Sequence, residues 1–393
     1  MRDVTDAAVR VALVGYGSAG RGIHAPLLTA AGVPPAVVVS ANQERAAQAR
    51  ADLQGVEVVS DVAAAVESAP DLVVIASPSG VHVANALACV EAGVGAVVVD
   101  KPLAVRASSA RQIVDAARDA GVALTVFQNR RWDAENLTLK RLLAQGALGQ
   151  VHRFERRWER WRPVAKDRWR ENASADEGGG ILLDLHPHLV DAAVHLFGPV
   201  VEVYAEVAAW TTLAEDDAFV SLLHTGRTWS TGDAGGTGNA GAPVRSHLSA
   251  TSVAGAPGPR TRVLGSAGAY VVTTFENEAS GFTGVNDDVP GCSGWLVAGE
   301  QRRPVPTEPG GHGDFYPAVL AALARADAAA RQAAMPVNPE DAVHGLTVID
   351  AARRSAAERS VVSLTPARRG QSPSSSASGP APGPGGGGWL PAP

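Results

Sequence analysis

Val9-Arg10-Val11-Ala12-Leu13-Val14-Gly15-Tyr16-Gly17-Ser18-Ala19-Gly20-Arg21 runs from an apolar segment into a glycine-rich turn. Gly15, Gly17 and Gly20 match the pattern G-x-G-x-x-G. The first glycine permits a tight turn, and the second lets the backbone approach a pyrophosphate. The third lets helix and strand pack closely, with the phosphates at the helix N-terminus. The pattern recurs at Gly236-Thr237-Gly238-Asn239-Ala240-Gly241. That copy lies in a glycine-rich stretch, and Pro243 interrupts any following helix, so it reads as a compositional accident. Only the first copy follows a strand and opens a helix.

Outward from this turn, strand and helix signals alternate. Short apolar runs at Val9–Val14, Ala36–Val39, Val56–Val59, Leu72–Ala76, Ala96–Val99 and Val122–Phe127 predict strands. Helical windows sit between them at Ser18–Ala31, Glu44–Leu53, Val62–Glu67, His82–Ala92 and Ser108–Ala120. Continuous rather than alternating apolar runs fit parallel strands buried on both faces. The expected fold is an α/β doubly wound parallel sheet, of Rossmann type, over residues 8–128.

The rhythm changes near Asn129. A helix at Glu135–Gln145, alternation over Val151–Arg162 and a helix at Ile181–Leu196 come first. Strand signals follow at Val200–Ala209, Phe219–His224, His247–Ser252 and Ala269–Thr274, then helices at Pro317–Ala334 and Glu340–Glu358. This predicts an α+β domain over residues 129–365 with a largely antiparallel open sheet. Gly232–Pro243 and Ser280–Gly313 read as long loops. Residues 366–393, rich in Ser, Pro and Gly, read as a disordered tail.

Composition narrows the function. The chain has 393 residues, 46% of them hydrophobic, and a formal net charge of −6. It can bury a core and is no general nucleic-acid binder. Two cysteines, Cys89 and Cys292, supply neither a disulfide framework nor a cysteine-rich metal site. The first ten residues lack an apolar signal core. The longest charge-free run, Leu72 to Val90, carries Pro78, Gly80, His82 and Asn85, a poor membrane span. The expected class is a soluble cytoplasmic protein. Only three of the 34 basic residues are lysine, namely Lys101, Lys140 and Lys166.

An NAD site offers a carboxylate about 20 residues beyond the first glycines, to bind the ribose 2′-hydroxyl. Here the second strand ends Ser40-Ala41-Asn42, with Arg45 nearby. Nothing there repels a 2′-phosphate; Ser40 and Asn42 can donate hydrogen bonds to the cofactor, and Arg45 can supply the charge to pair with that phosphate. NADP is therefore favoured, with NAD possible. Asp100-Lys101-Pro102 follows another strand at its carboxyl end, where such sheets bind ligands. In an arginine-dominated chain, a lysine at that edge points to a need for a compact ammonium. Asp184 and His188, within Gly178-Gly179-Gly180-Ile181-Leu182-Leu183-Asp184-Leu185-His186-Pro187-His188, lie one turn apart on a helix. A histidine with a carboxylate there suits acid–base work. Asp191 and His195 extend the stripe. A structural polar stripe and a metal site of Asp184, His188 and His195 are the other readings, though the spacing fits no familiar metal pattern.

Together, GYGSAGR, His24-Ala25-Pro26, Ser77-Pro78-Ser79 with His82, the DKP tripeptide and the GGGILLDLHPHLVD segment resemble the Gfo/Idh/MocA oxidoreductases. Phe127-Gln128-Asn129-Arg130-Arg131-Trp132-Asp133, with Arg160-Trp161-Arg162-Pro163 and Arg168-Trp169-Arg170-Glu171, is similar to the branch containing NADP-dependent scyllo-inositol dehydrogenases. The resemblance implies an NAD(P)-dependent dehydrogenase acting on a CH–OH group of a cyclic polyol or sugar. It implies that Lys101 lies near nicotinamide and substrate, that Asp184 orients substrate and that His188 is the catalytic histidine. Trp169 and Arg170 would contact the cofactor. So would Gly15, Tyr16, Gly17, Ser18, Ala19, Gly20, Arg21, Ser77, Pro78, Ser79, His82, Asp100 and Asn129. No metal is implied, and a homodimer or homotetramer is. Asp100 replaces the usual glutamate. His186 replaces a usual glycine and would narrow the substrate pocket or carry a proton.

The stripe Arg153, Arg156, Arg157, Arg160, Arg162, Lys166, Arg168 and Arg170, interleaved with Phe154, Trp158, Trp161 and Trp169, could stack bases. Glu155, Glu159, Asp167 and Glu171 offset it, so neither nucleic acid nor membrane is an expected partner. A non-catalytic NADP-binding sensor and a redox-assisted glycosidase are the competing functions.

Overall fold

The computed structural model describes residues 9–226, 242–273 and 289–364. The second glycine match at Gly236–Gly241 and the tail at 366–393 lie outside the described residues. So do most of the first expected loop and the start of the second.

Six strands form one parallel sheet: β1 (Val11–Val14), β2 (Val37–Val39), β3 (Glu57–Val59), β4 (Leu72–Ile75), β5 (Ala96–Asp100) and β6 (Ala123–Phe127). Their order is β3-β2-β1-β4-β5-β6. The direction of winding reverses between β1 and β4, which opens a crevice at their carboxyl ends. β1, β4 and β6 are buried at every position, because crossover helices cover both faces. β6 ends this sheet, and its free backbone is closed by a side chain. Gln332 accepts from the Leu124 amide at 2.8 Å and donates to the Leu124 carbonyl at 3.0 Å. A sheet edge is thus satisfied from a segment 208 residues later.

The second sheet has nine strands: β7 (Val151–Glu159), β8 (Val200–Ala208), β9 (Asp217–His224), β10 (Val244–Thr251), β11 (Thr261–Gly265), β12 (Gly268–Val272), β13 (Cys292–Ala298), β14 (Gln301–Pro306) and β15 (Val362–Ser363). The order is β14-β13-β12-β11-β7-β10-β9-β8-β15. Pairing is antiparallel except between β7 and β10. In β9 every second residue is buried, as a sheet covered on one face requires. The helices His186–Phe197 and Pro339–Glu358 supply that cover.

Three sequence expectations need correction. The segment Ser280–Gly313, read as loop, contains the hairpin of β13 and β14. Pro304 and Pro306 masked the signal, and the outermost strand is where a sheet tolerates proline. The helix expected over Ile181–Leu196 is two helices, Ile181–Asp184 and His186–Phe197, meeting at Leu185. Pro187 has no amide hydrogen to continue the first helix, and it starts the second. The helix expected over Pro317–Ala334 is also two, Phe315–Leu323 and Ala328–Ala334. Asp327 restarts the chain by accepting from the Ala330 amide at 2.7 Å.

The basic stripe on β7 is closed by carboxylates. Arg156 pairs with Glu135 at 2.6 Å, and Glu155 accepts from Arg157 at 2.9 Å and Arg262 at 2.8 Å. No helix among the described residues is long and apolar enough to cross a membrane.

Arg131 joins three elements. It holds Asp191 on the helix His186–Phe197 through bonds of 2.6 and 2.9 Å, and Asp341 on the helix Pro339–Glu358 at 2.9 Å. Burial pushes the Asp191 carboxyl up, and Arg131 opposes it. Arg131→Met leaves that carboxylate without its partner, at an expected cost of about 3–5 kcal/mol. A urea denaturation series on the purified protein measures it; a loss below about 1 kcal/mol refutes this role.

Candidate active site

Backbone crowding accounts for two of the three leading glycines. Gly15 adopts φ +94°, and a Cβ there would lie 2.9 Å from the Ala76 carbonyl oxygen. A Cβ on Gly20 would lie 2.0 Å from the Gly15 carbonyl oxygen. Gly17 is different. Its Cβ would meet nothing nearer than the Arg45 guanidinium at 3.8 Å. The fold itself leaves room at Gly17, where a ligand could approach the backbone closely.

Tyr16, Gly17, Ser18, Arg21, Arg45 and Gln48 line an open cleft of about 440 Å³ at this turn. Arg21 is held by Asp52 at 2.6 and 3.2 Å, and the Tyr16 hydroxyl donates to Asp52 at 3.2 Å. Burial, then the Asp52 carboxylate, pushes the Tyr16 phenol up to about 12. Asn42 accepts from the Arg45 amide at 2.9 Å and so caps the helix Gln43–Asp52, while Ser40 donates to the Asn42 carbonyl at 3.3 Å. The Arg45 guanidinium lies beside Gly17. Residues 15–21 and Arg45 could hold a pyrophosphate and a further phosphate.

Next along the edge come Ser77, Pro78 and Ser79 after β4. His82 is buried, with Nδ1 2.8 Å from the Pro102 carbonyl and Nε2 2.8 Å from the Ser77 carbonyl. It ties the two strand-end loops together and so shapes the cleft from behind. Asp100 is also turned inward. It accepts from the Lys101 amide at 2.8 Å and faces His24 Nε2 at 3.8 Å, and His24 Nδ1 lies 2.6 Å from the Tyr316 hydroxyl. Burial would raise the Asp100 carboxyl, but His24 and Lys101 hold it below the usual range.

Lys101 points across the crevice. Its Nζ donates to the Asp184 carbonyl at 2.5 Å and to the Asp184 carboxylate at 3.2 Å. Arg170 lies 3.4 Å from the same carboxylate, and its guanidinium covers the Trp169 ring at 4.9 Å. Burial works against the Asp184 charge, yet Lys101 and Arg170 hold its pKa down to about 2. The sequence-predicted Lys101, Asp184, Trp169 and Arg170 therefore do meet.

The expected Asp184–His188 partnership takes another form. The break at Leu185 separates the two side chains, and Asp184 serves Lys101 and Arg170 instead. His188 is 8% exposed and stacks on Trp158 with ring centroids 5.7 Å apart. Burial, followed by the charges of Lys101, Arg130 and Arg260, drives its pKa well below 6.5. It is therefore a neutral imidazole at neutral pH. His186, expected to shape the substrate pocket, is fully buried beside the backbones of Ile181 and Leu248. Burial lowers it to about 4. Asp191 is taken by Arg131, and no cluster of metal-ligating side chains occurs among the described residues.

One polar residue near this site, His312, carried no sequence signal; it meets Asn129, an expected cofactor contact, and Asp133. Asn129 lies just beyond β6, and its amide nitrogen is 3.2 Å from His312 Nδ1. His312 Nε2 is 2.9 Å from Asp133. His312 stands 183 residues from Asn129, inside a segment read as loop. Only its histidine identity, between Gly311 and Gly313, could have flagged it.

Comparison with known proteins identifies both parts of the chain. Residues 9–128 match the family model described as an oxidoreductase family with an NAD-binding Rossmann fold. Residues 136–271 match the GFO/IDH/MocA C-terminal domain. The uncharacterized oxidoreductase YdgJ of Escherichia coli is 37% identical over 218 residues, 55% of this chain and 61% of YdgJ, so that match spans under two thirds of its length. The scyllo-inositol 2-dehydrogenase (NADP(+)) IolW of Bacillus subtilis is 28% identical over 370 residues, 91% of this chain and 96% of IolW. The solved structure of YPO2259 from Yersinia pestis superposes with a TM-score of 0.74 at 30% identity, covering 93% of this chain and all of that one. By both halves of its sequence and by its fold, the chain belongs to the Gfo/Idh/MocA family of NAD-binding oxidoreductases.

Proposed function

We propose that this oxidoreductase uses NADP to interconvert a secondary alcohol and a ketone on a cyclic polyol or sugar. The observation that carries this reading is the pairing of Lys101 with Asp184 at the carboxyl edge of the sheet, with the Lys101 charge acting on a buried, neutral His188. The similarity to IolW over most of both chains supports the substrate class. NADP is favoured because Arg45 forms no ion pair among the described residues, whereas Arg21 is held by Asp52. When bound, the nicotinamide supplies the hydride acceptor for oxidation.

The chain's own residues do the rest. Gly15 to Arg21 and Arg45 hold the phosphates, and Ser77 to Ser79 with Trp169 and Arg170 bound the nicotinamide end. Lys101 directs its ammonium at the reacting oxygen and stabilises negative charge there as a proton leaves. Asp184 fixes that ammonium and offers its remaining lone pairs to a neighbouring substrate hydroxyl. His188, neutral because it is buried among cations, accepts the hydroxyl proton.

Two sets of variants test the reading. Gly17→Ala folds with near-normal stability and loses NADP binding, while Gly20→Ala is strongly destabilised by its clash with Gly15. Arg45→Ala lowers the preference for NADP over NAD about tenfold or more. Fluorescence titration and thermal melts read both; NADP affinity unchanged in Gly17→Ala and Arg45→Ala contradicts the placement. Lys101→Met and His188→Ala each lower kcat by about 10²–10⁴ with NADP still bound. Turnover at the wild-type level in both variants would remove the catalytic assignment.

A further inference from the structure

His188 is well placed to take a proton and badly placed to keep one. Its Nδ1 is buried without a hydrogen-bond partner. Lys101, Arg130 and Arg260 all oppose a positive charge on it. Oxidation of an alcohol releases one proton per turnover, so a base in this setting needs a second group to receive that proton.

His312 and Asp133 meet that need. Asp133 lies 2.9 Å from His312 Nε2, the arrangement that steadies an imidazolium. On one side the pair adjoins the Lys101 edge. Phe127 is the register partner of Asp100, its ring stands edge-on to His312 at 6.4 Å, and Asn129 two residues later contacts the His312 ring. On the other side Arg130 links it to the His188 stack. Asp133 pairs with Arg130 at 3.3 Å, Arg130 lies over Trp158 at 5.1 Å, and Trp158 stacks on His188. The His312 side chain is 28% exposed, so it reaches water where His188 barely does.

We propose that His312, backed by Asp133, is the proton relay of this site, receiving the proton from His188 and releasing it to water. The proposal rests on the dehydrogenase reading above. The step balances. The substrate O–H bond breaks onto His188, and its electron pair becomes the second bond of the carbonyl. The C–H pair leaves with its hydrogen to the oxidised nicotinamide. The proton moves to His312 and then to solvent. From the turn Asn129–Trp132, Arg130 reaches the His312 partner Asp133, while Arg131 is turned to Asp191 and Asp341. His24 and Tyr316 lie behind Phe127, Asp314 is in its own turn, and the helix Ala25–Ala30 brings no charge.

The test uses the full-length chain with NADP and polyol substrates, comparing wild type with His312→Gln and Asp133→Asn across roughly pH 6 to 9. NADPH fluorescence titration checks that each variant holds its fold. The expected result is a fall in kcat of about tenfold or more, with KM and NADPH affinity nearly unchanged. Added imidazole should restore much of the His312→Gln rate, which a merely structural role would not allow. A His312→Gln protein that binds NADPH and keeps wild-type kcat at every pH overturns the relay. So does one whose loss imidazole leaves untouched. If His312→Gln loses NADPH binding, Asp133→Asn decides, and an unchanged kcat overturns the relay. An inactive wild type overturns the dehydrogenase reading and the relay with it, whereas an active wild type with an indifferent His312→Gln overturns the relay alone.

Discussion

The bond from Lys101 to Asp184 is the contact on which the site depends. It joins residues 83 positions apart, one at the carboxyl edge of β5 and one at the end of a four-residue helix. Lys101 lies largely out of water and Asp184 partly so, and a salt bridge there adds little net stability because each charge loses hydration. A pair retained there is better explained by what it positions. It fixes an ammonium at the mouth of the crevice and keeps a carboxylate ionised beside it, with Arg170 as the second counter-charge.

Around this pair the histidines divide by their surroundings. His82 has both ring nitrogens on backbone carbonyls and acts as a strut between loops. His186 is sealed under its helix, where burial keeps it neutral. His188 is neutral for a different reason, being both buried and surrounded by cations. His312 alone of these four combines a carboxylate partner with solvent contact. The same residue type thus serves as strut, filler, proposed base and proposed relay, according to burial and partner.

Much of the first sheet was legible because its signals are local. Each strand is a short apolar run bounded by turn residues, and the glycine fingerprint sits between a strand and a helix. The lysine at position 101 stood out against an arginine-rich background. Long-range features were not legible. Gln332 closing the edge of β6 and Asp133 meeting His312 depend on packing between distant segments. The β13–β14 hairpin was hidden by prolines that an edge strand tolerates. The pairing of Asp184 with His188 failed because a four-residue spacing implies a shared face only on an unbroken helix, and Pro187 breaks this one.

The most direct measurement is the absorbance of reduced cofactor when the wild-type protein meets NADP and a panel of inositols, pentoses, hexoses and their lactones. The account predicts steady NADPH formation with at least one cyclic polyol or sugar, and slower formation with NAD. Tight NADP binding with no reduction across the panel would contradict it and would leave a cofactor-binding protein without dehydrogenase chemistry.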